Sequence, residues 1–90
     1  MNYTIIVPFY NEEKNISSFN NELINNLKKI DDGKRNLEII YVDDGSNDKT
    51  FEELKKLNTN IFETLIIKHR ANLSQSAAIN TGINQSKYEN

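Results

Sequence analysis

Leu37-Glu38-Ile39-Ile40-Tyr41-Val42 strongly favours extended backbone, with five strand-forming residues out of six, and it gives way at once to Asp43-Asp44-Gly45-Ser46, which cannot continue a strand. An acidic pair therefore emerges at the carboxyl end of a strand. In open α/β sheets that edge is where ligands sit.

The flanking segments say which kind of sheet this is. Tyr3 to Val7 is a short β-branched run with no alternation, the pattern of a strand buried on both faces, and Pro8 is expected to close it. From Glu12 the spacing becomes helical, with Ile16, Phe19, Leu23, Leu27 and Ile30 three or four residues apart. Asp31-Asp32-Gly33 is the expected stop, glycine taking the left-handed C-terminal position. After the acidic pair comes a second helix carrying Phe51, Leu54 and Leu57, with Asn47 or Asp48 available as its cap. Ile61 to Lys68 reads as a third strand. Ser74 to Ser86 reads as a third helix, in which Ala77, Ala78 and Gly82 permit close approach to the sheet. Strand and helix alternating three times imply parallel strands joined by crossovers, an α/β fold.

Composition narrows the function. Ninety residues make one domain at most, and a chain 37% hydrophobic and 27% charged is ordinary globular material. Eleven basic residues against thirteen acidic leave a net charge of −2 with no basic run, so no nucleic-acid partner is expected. The absence of cysteine excludes disulfides, thiolate zinc sites and a thiol nucleophile. Apolar runs such as Ile5 to Tyr10 fall far short of the ~20 residues of a membrane span.

Two loops are candidates for chemistry. Val7-Pro8-Phe9-Tyr10-Asn11-Glu12-Glu13 leaves the first strand at the same edge as the acidic pair, if the two strands are neighbours. Tyr10 can stack on a planar base, Glu12 can accept from a ribose hydroxyl, and Asp43 can accept a base N–H. Each also has a plain structural reading. Tyr10 fits the top of a core equally well, and Glu12 and Glu13 suit the first turn of a helix. A turn, by contrast, needs only one carboxylate, and two adjacent ones repel. His69-Arg70 is expected to be a solvated strand terminus, with Arg70 within reach of a pyrophosphate. Lys28, Lys29, Lys34 and Arg35 read as a solvated helix end and loop.

Val7 to Glu13, followed about thirty residues later by Val42-Asp43-Asp44-Gly45-Ser46-Asn47-Asp48-Lys49-Thr50 and then by Asn72-Leu73-Ser74-Gln75-Ser76-Ala77-Ala78-Ile79-Asn80-Thr81-Gly82, resembles the opening of the family 2 glycosyltransferases. These are inverting nucleotide-sugar enzymes. The resemblance implies a partial Rossmann-like three-layer sandwich of the nucleotide-diphospho-sugar transferase type, residues 1–90 being the N-terminal, donor-nucleotide-binding part of a longer catalytic domain. It implies that Pro8 and Tyr10 line the base pocket, Glu12 meets the nucleoside and Asp43 bonds the uracil or guanine edge, while Asp44 braces the loop and Gln75 lies near the nucleotide. Ser74 departs from the glycine common in relatives.

The family's divalent metal, Mn or Mg, is held by an Asp-x-Asp motif on a fourth strand. That motif and the catalytic base are expected beyond Asn90, so no metal is expected on this segment and no turnover from it alone. The implied partner is a UDP- or GDP-hexose donor, the acceptor a polyprenyl phosphate or cell-surface glycan, and the location cytoplasmic, at the inner face of a membrane reached through downstream regions. An unpaired outer edge on the first strand predicts self-association or low stability. Two alternatives stay open: a receiver-like phosphoacceptor domain, which needs a further aspartate that Ile66-Ile67-Lys68-His69-Arg70 does not offer, and a non-catalytic α/β interaction module.

Overall fold

A computed structural model describes residues 2–30, 36–57 and 59–87. The elements run β1 (Asn2–Phe9), α1 (Ile16–Ile30), β2 (Asn36–Asp43), α2 (Thr50–Lys55), β3 (Glu63–Lys68) and α3 (Gln75–Gln85). The strands form one parallel sheet in the order β1-β2-β3, as alternation with helices requires. This is a partial Rossmann-like α/β fold.

The central strand assigns the helices to its two faces. Every residue of β2 from Glu38 to Asp43 is buried, and alternate side chains point in opposite directions. Ile39 and Tyr41 enter a cluster with Phe9, Ile16, Ile24, Leu27 and Leu54, on the face covered by α1 and α2. Ile40 and Val42 face the other way, against Ala78 of α3, with Ile6 and Ile67 beside them. Gly82 completes this second contact: a Cβ there would lie 2.5 Å from Ile6 Cγ2, so only glycine lets α3 lie this close.

Several boundaries differ from the sequence reading, each for a local reason. Pro8 does not close β1, which runs on through Phe9. Phe9's carbonyl turns toward β2, accepting from the Asp44 N–H at 2.8 Å, so the preceding residue's missing N–H faces the outer edge, where proline breaks no ladder bond. The first helix begins at Ile16, not at Glu12, and its first turn holds no acidic residue. Its buried stripe is Ile16, Asn20, Ile24 and Leu27, leaving Phe19 and Ile30 exposed. Asn20 belongs to that stripe because its side-chain oxygen accepts from the buried Tyr41 hydroxyl. The stop expected at Asp31-Asp32-Gly33 lies outside the described residues.

Lys49, rather than Asn47 or Asp48, occupies the cap position of α2, without a side-chain bond; Asp48 instead accepts the Thr50 N–H at 2.9 Å. Leu57 lies beyond that six-residue helix, and β3 starts at Glu63, two residues after Ile61. Ser74 caps α3, accepting from the Ala77 N–H at 3.0 Å. At the other end of α3, Glu38 Oε1 accepts from the Ser86 hydroxyl at 2.7 Å and the Lys87 N–H at 3.0 Å, anchoring the helix to the sheet.

Candidate functional site

β1 and β2 end in register, Phe9 against Asp43, so the loops that follow leave the sheet together. Main-chain N–H groups of one loop meet side chains of the other. Asn11 donates its N–H to Ser46 Oγ at 2.8 Å, and its Oδ1 accepts the Asn47 N–H at 2.9 Å. This reciprocal pair needs Asn11 at φ 52°, a left-handed conformation that asparagine tolerates better than most residues. Glu12 N–H reaches Thr50 Oγ1 at 2.8 Å, and Thr50 in turn donates to Asp48. Burial would raise the Asp48 carboxyl, but the bonds from the Thr50 hydroxyl and N–H outweigh it and hold the group below its ordinary range.

The two adjacent aspartates do different work. Asp43 is fully buried; its Oδ1 accepts from Ser46 N–H at 3.1 Å and Ser46 Oγ at 2.5 Å, closing the turn. Its Oδ2 is buried with no hydrogen-bond partner among the described residues. Asp44 turns toward the β3–α3 loop, where Oδ1 accepts from His69 Nδ1 at 2.8 Å and Leu73 N–H at 3.1 Å, and Oδ2 from Asn72 Nδ2 at 3.0 Å. Burial alone would raise the Asp44 carboxyl; the bonds from His69 and Leu73 more than offset it and hold the group below the usual carboxylate range. Gly45, at φ 73°, lets that loop pass, since a Cβ there would sit 2.2 Å from the Ala71 carbonyl carbon and 2.4 Å from Asn72 N.

These loops enclose a cleft of about 360 Å³ walled by Pro8, Phe9, Tyr10, Glu12, Asp44, Asn72, Ser74 and Gln75. Its size lies within the range of small-molecule sites. Five of the six residues singled out from sequence share it: Pro8, Tyr10, Glu12, Asp44 and Gln75. Asp43 is not on the wall. Both carboxylates brace loops, Asp43 its own turn through Ser46 and Asp44 the β3–α3 loop as expected, and of the two Asp44 is the one on the cleft wall. Tyr10 is 42% exposed, so its ring is not core filling. Glu12 and Glu13 precede α1 rather than opening it, and Glu12 Oε2 accepts from Asn15 Nδ2 at 2.7 Å.

His69 was expected in solvent, yet its side chain is only 9% exposed, bound to Asp44 on one side and Thr81 Oγ1, at 2.8 Å, on the other. Its carboxylate partner stands 25 positions away in sequence, which local inspection does not reveal. The signal available was register: His69 follows directly on Lys68, which pairs with Asp43. Arg70 is exposed and not on the cleft wall, and Lys28 and Lys29 are exposed as expected. Lys34 and Arg35 lie outside the described residues.

Among the described residues no group of three His, Cys, Asp or Glu side chains is placed to share a metal ion. A divalent ion held by protein side chains alone lacks its donor set among them. No helix among them is long and apolar enough to cross a membrane.

The sequence profile described as glycosyl transferase family 2 matches residues 4–89. The chain is 32% identical over 81 residues to a dolichyl-phosphate beta-glucosyltransferase of Trichomonas vaginalis, covering 88% of this chain and 25% of that protein. It is 32% identical over 85 residues to an undecaprenyl-phosphate 4-deoxy-4-formamido-L-arabinose transferase of Proteus mirabilis, covering 91% and 24%. A third similarity, 43% over 56 residues, is to a poly(ribitol-phosphate) beta-N-acetylglucosaminyltransferase of Staphylococcus aureus, covering 62% and 9%. The chain spans about a quarter of the length of the first two relatives.

Proposed function

Because the chain belongs to glycosyl transferase family 2, we propose that its cleft binds the nucleotide of a UDP- or GDP-hexose, whose sugar the whole protein transfers to a polyprenyl phosphate. Residues 1–90 are, in this reading, the donor-recognition part of a larger catalytic domain. The observation that carries it is the convergence of Pro8, Tyr10 and Glu12 with Asp44 and Gln75 on one cleft.

Each wall residue suits one portion of the donor. The exposed Tyr10 ring offers a face for the base, a contact worth roughly 1–3 kcal/mol where bases stack on aromatics. The ionised Asp44 carboxylate only accepts, so it selects a base edge that presents N–H, as uracil and guanine do. Glu12 is placed to accept from ribose hydroxyls. Ser74 and Gln75 bring the amino end of α3, with its partial positive charge, to the cleft, which suits the phosphates. Asp43, with Ser46, holds the turn that presents Asp44.

Two relatives named for dolichyl- or undecaprenyl-phosphate favour a lipid-linked acceptor over a cell-surface glycan, and the third, named for poly(ribitol-phosphate), keeps the glycan as the second choice. A lipid-linked acceptor would place the enzyme at the cytoplasmic face of a membrane. The divalent ion and the base that deprotonates the acceptor are assigned to other parts of the protein.

Calorimetric titration with UDP and GDP, each with and without Mn²⁺, tests the reading. Binding of one of them is expected, weakened about tenfold or more by Asp44→Asn, as befits loss of a charged hydrogen bond. No binding of either nucleotide at millimolar concentration would leave a non-catalytic module as the better description.

A further inference from the structure

The side chain of His69 bridges the end of β2 and the middle of α3. Nδ1 is 2.8 Å from Asp44 Oδ1, at the end of β2, and Nε2 is 2.8 Å from Thr81 Oγ1, on the second turn of α3. The neutral ring satisfies both contacts in only one arrangement. An ionised carboxylate accepts, so Nδ1 carries the proton; Nε2 then accepts, so the Thr81 hydroxyl donates. Thr81 thereby fixes which face of the imidazole Asp44 meets.

An Asp–His–hydroxyl chain of this order activates a nucleophile where the hydroxyl opens onto a substrate. Here the order is turned around. Thr81 is not among the residues walling the cleft, whereas Asp44 is. The chain therefore delivers its ordering to the carboxylate and not to the hydroxyl.

We infer that His69 is a positioning residue for Asp44, anchored by Thr81, and that it fixes the carboxylate so that the edge bearing Oδ2 is the one offered to an N–H of the donor base. This rests on the donor-binding reading above. Oδ1 already accepts from His69 and the Leu73 N–H, and Oδ2 accepts from Asn72 Nδ2, with the Ser74 N–H also bonded to the carboxylate. Without His69 the carboxylate keeps the Leu73 and Asn72 bonds but loses the side-chain donor to Oδ1, so χ2, a soft torsion, is held less firmly and the preference for one edge weakens.

The probes are UDP and its N3-methyl analogue, which lacks the imide N–H; their affinity ratio reads the Asp44 contact and not general stability. The parent protein is expected to prefer UDP by about tenfold or more. In His69→Asn the amide nitrogen falls near the Nδ1 position and should keep most of that preference. In His69→Gln the amide reaches the Nε2 position instead, and the ratio should fall to within about threefold of one. Thr81→Val should fall between the two.

Equal ratios in the Asn and Gln variants, whether kept or lost, would overturn the inference while leaving donor binding intact. Where GDP and not UDP binds, GDP and its N1-methyl analogue give the same ratio; a parent that does not discriminate overturns the inference too, and one that binds neither UDP nor GDP overturns both readings. If a variant does not fold, ¹⁵N spectra of the parent decide. The ring must carry its proton on Nδ1 and respond to UDP but not to inorganic phosphate, and a proton on Nε2 contradicts the inference.

Discussion

The two faces of the sheet are built differently. Against α1 and α2 lies the larger core, where Phe9, Ile16, Ile24, Leu27, Ile39, Tyr41 and Leu54 are all buried. Against α3 the buried cluster among the described residues is Ile40, Val42 and Ala78. What α3 lacks in apolar area it makes up with polar ties: His69 to Thr81 near its middle, and Glu38 to Ser86 and Lys87 at its end. The thin face is also the one whose loop, Asn72 to Gln75, walls the cleft. Apolar stability thus concentrates on one side, and on the other polar ties orient the Asn72 to Gln75 wall of a cleft whose second wall, with Pro8, Phe9, Tyr10 and Glu12, comes from the end of β1 and the loop before α1. Directional bonds suit the second task, because they fix orientation where apolar contact fixes only proximity.

If that division is right, truncation of the large core should cost the whole molecule. Leu54→Ala removes a fully buried side chain and is expected to destabilise by about 2–5 kcal/mol, with amide exchange accelerating in all three strands. Urea melts and hydrogen exchange check it. Confinement of the faster exchange to α2 would break the comparison. Gly82→Ala is the counterpart on the thin face. Its new Cβ meets Ile6 Cγ2, a β-branched side chain with little rotamer freedom, so α3 must move, at about 1–3 kcal/mol. Exchange should rise in α3 while β2 stays protected, and UDP affinity should fall with it.

The same contrast explains what could be read from the chain in advance. The α/β alternation was legible because apolar periodicity is a local signal, and so were the cleft residues Pro8, Tyr10, Glu12 and Gln75, which belong to contiguous blocks. Asn20 was not, since an asparagine among apolar neighbours looks like a surface residue until Tyr41 is brought over it. Nor was His69, whose partners Asp44 and Thr81 stand on other elements. The different placements of Asp43 and Asp44 follow from which way each side chain leaves the strand end. Neighbouring identical residues carry no mark of that in sequence. Strand and helix limits shifted by one to four residues where a cap or edge decided them, as at Pro8 and Ile16.

The smallest expected effect at neutral pH sharpens the comparison most, because it concerns a polar pair inside the large core. Tyr41 is fully buried with its hydroxyl donated to Asn20, and burial pushes its pKa up to about 12 from an ordinary 10.0. Above pH 10 the unfolded chain ionises this phenol while the folded one resists. The contribution is therefore complete below pH 10 and is lost between pH 10 and about 12, where it amounts to roughly 2–3 kcal/mol. Tyr41→Phe removes the titrating group. At pH 7 it should cost about 1 kcal/mol, from leaving Asn20 without its partner, yet the variant should lose less stability than the parent as pH climbs from 10 to 12. Urea midpoints taken across that interval test this directly. Parallel alkaline limbs in parent and variant would show that Tyr41 is reached by solvent, and that the larger core is not the sealed side of the molecule.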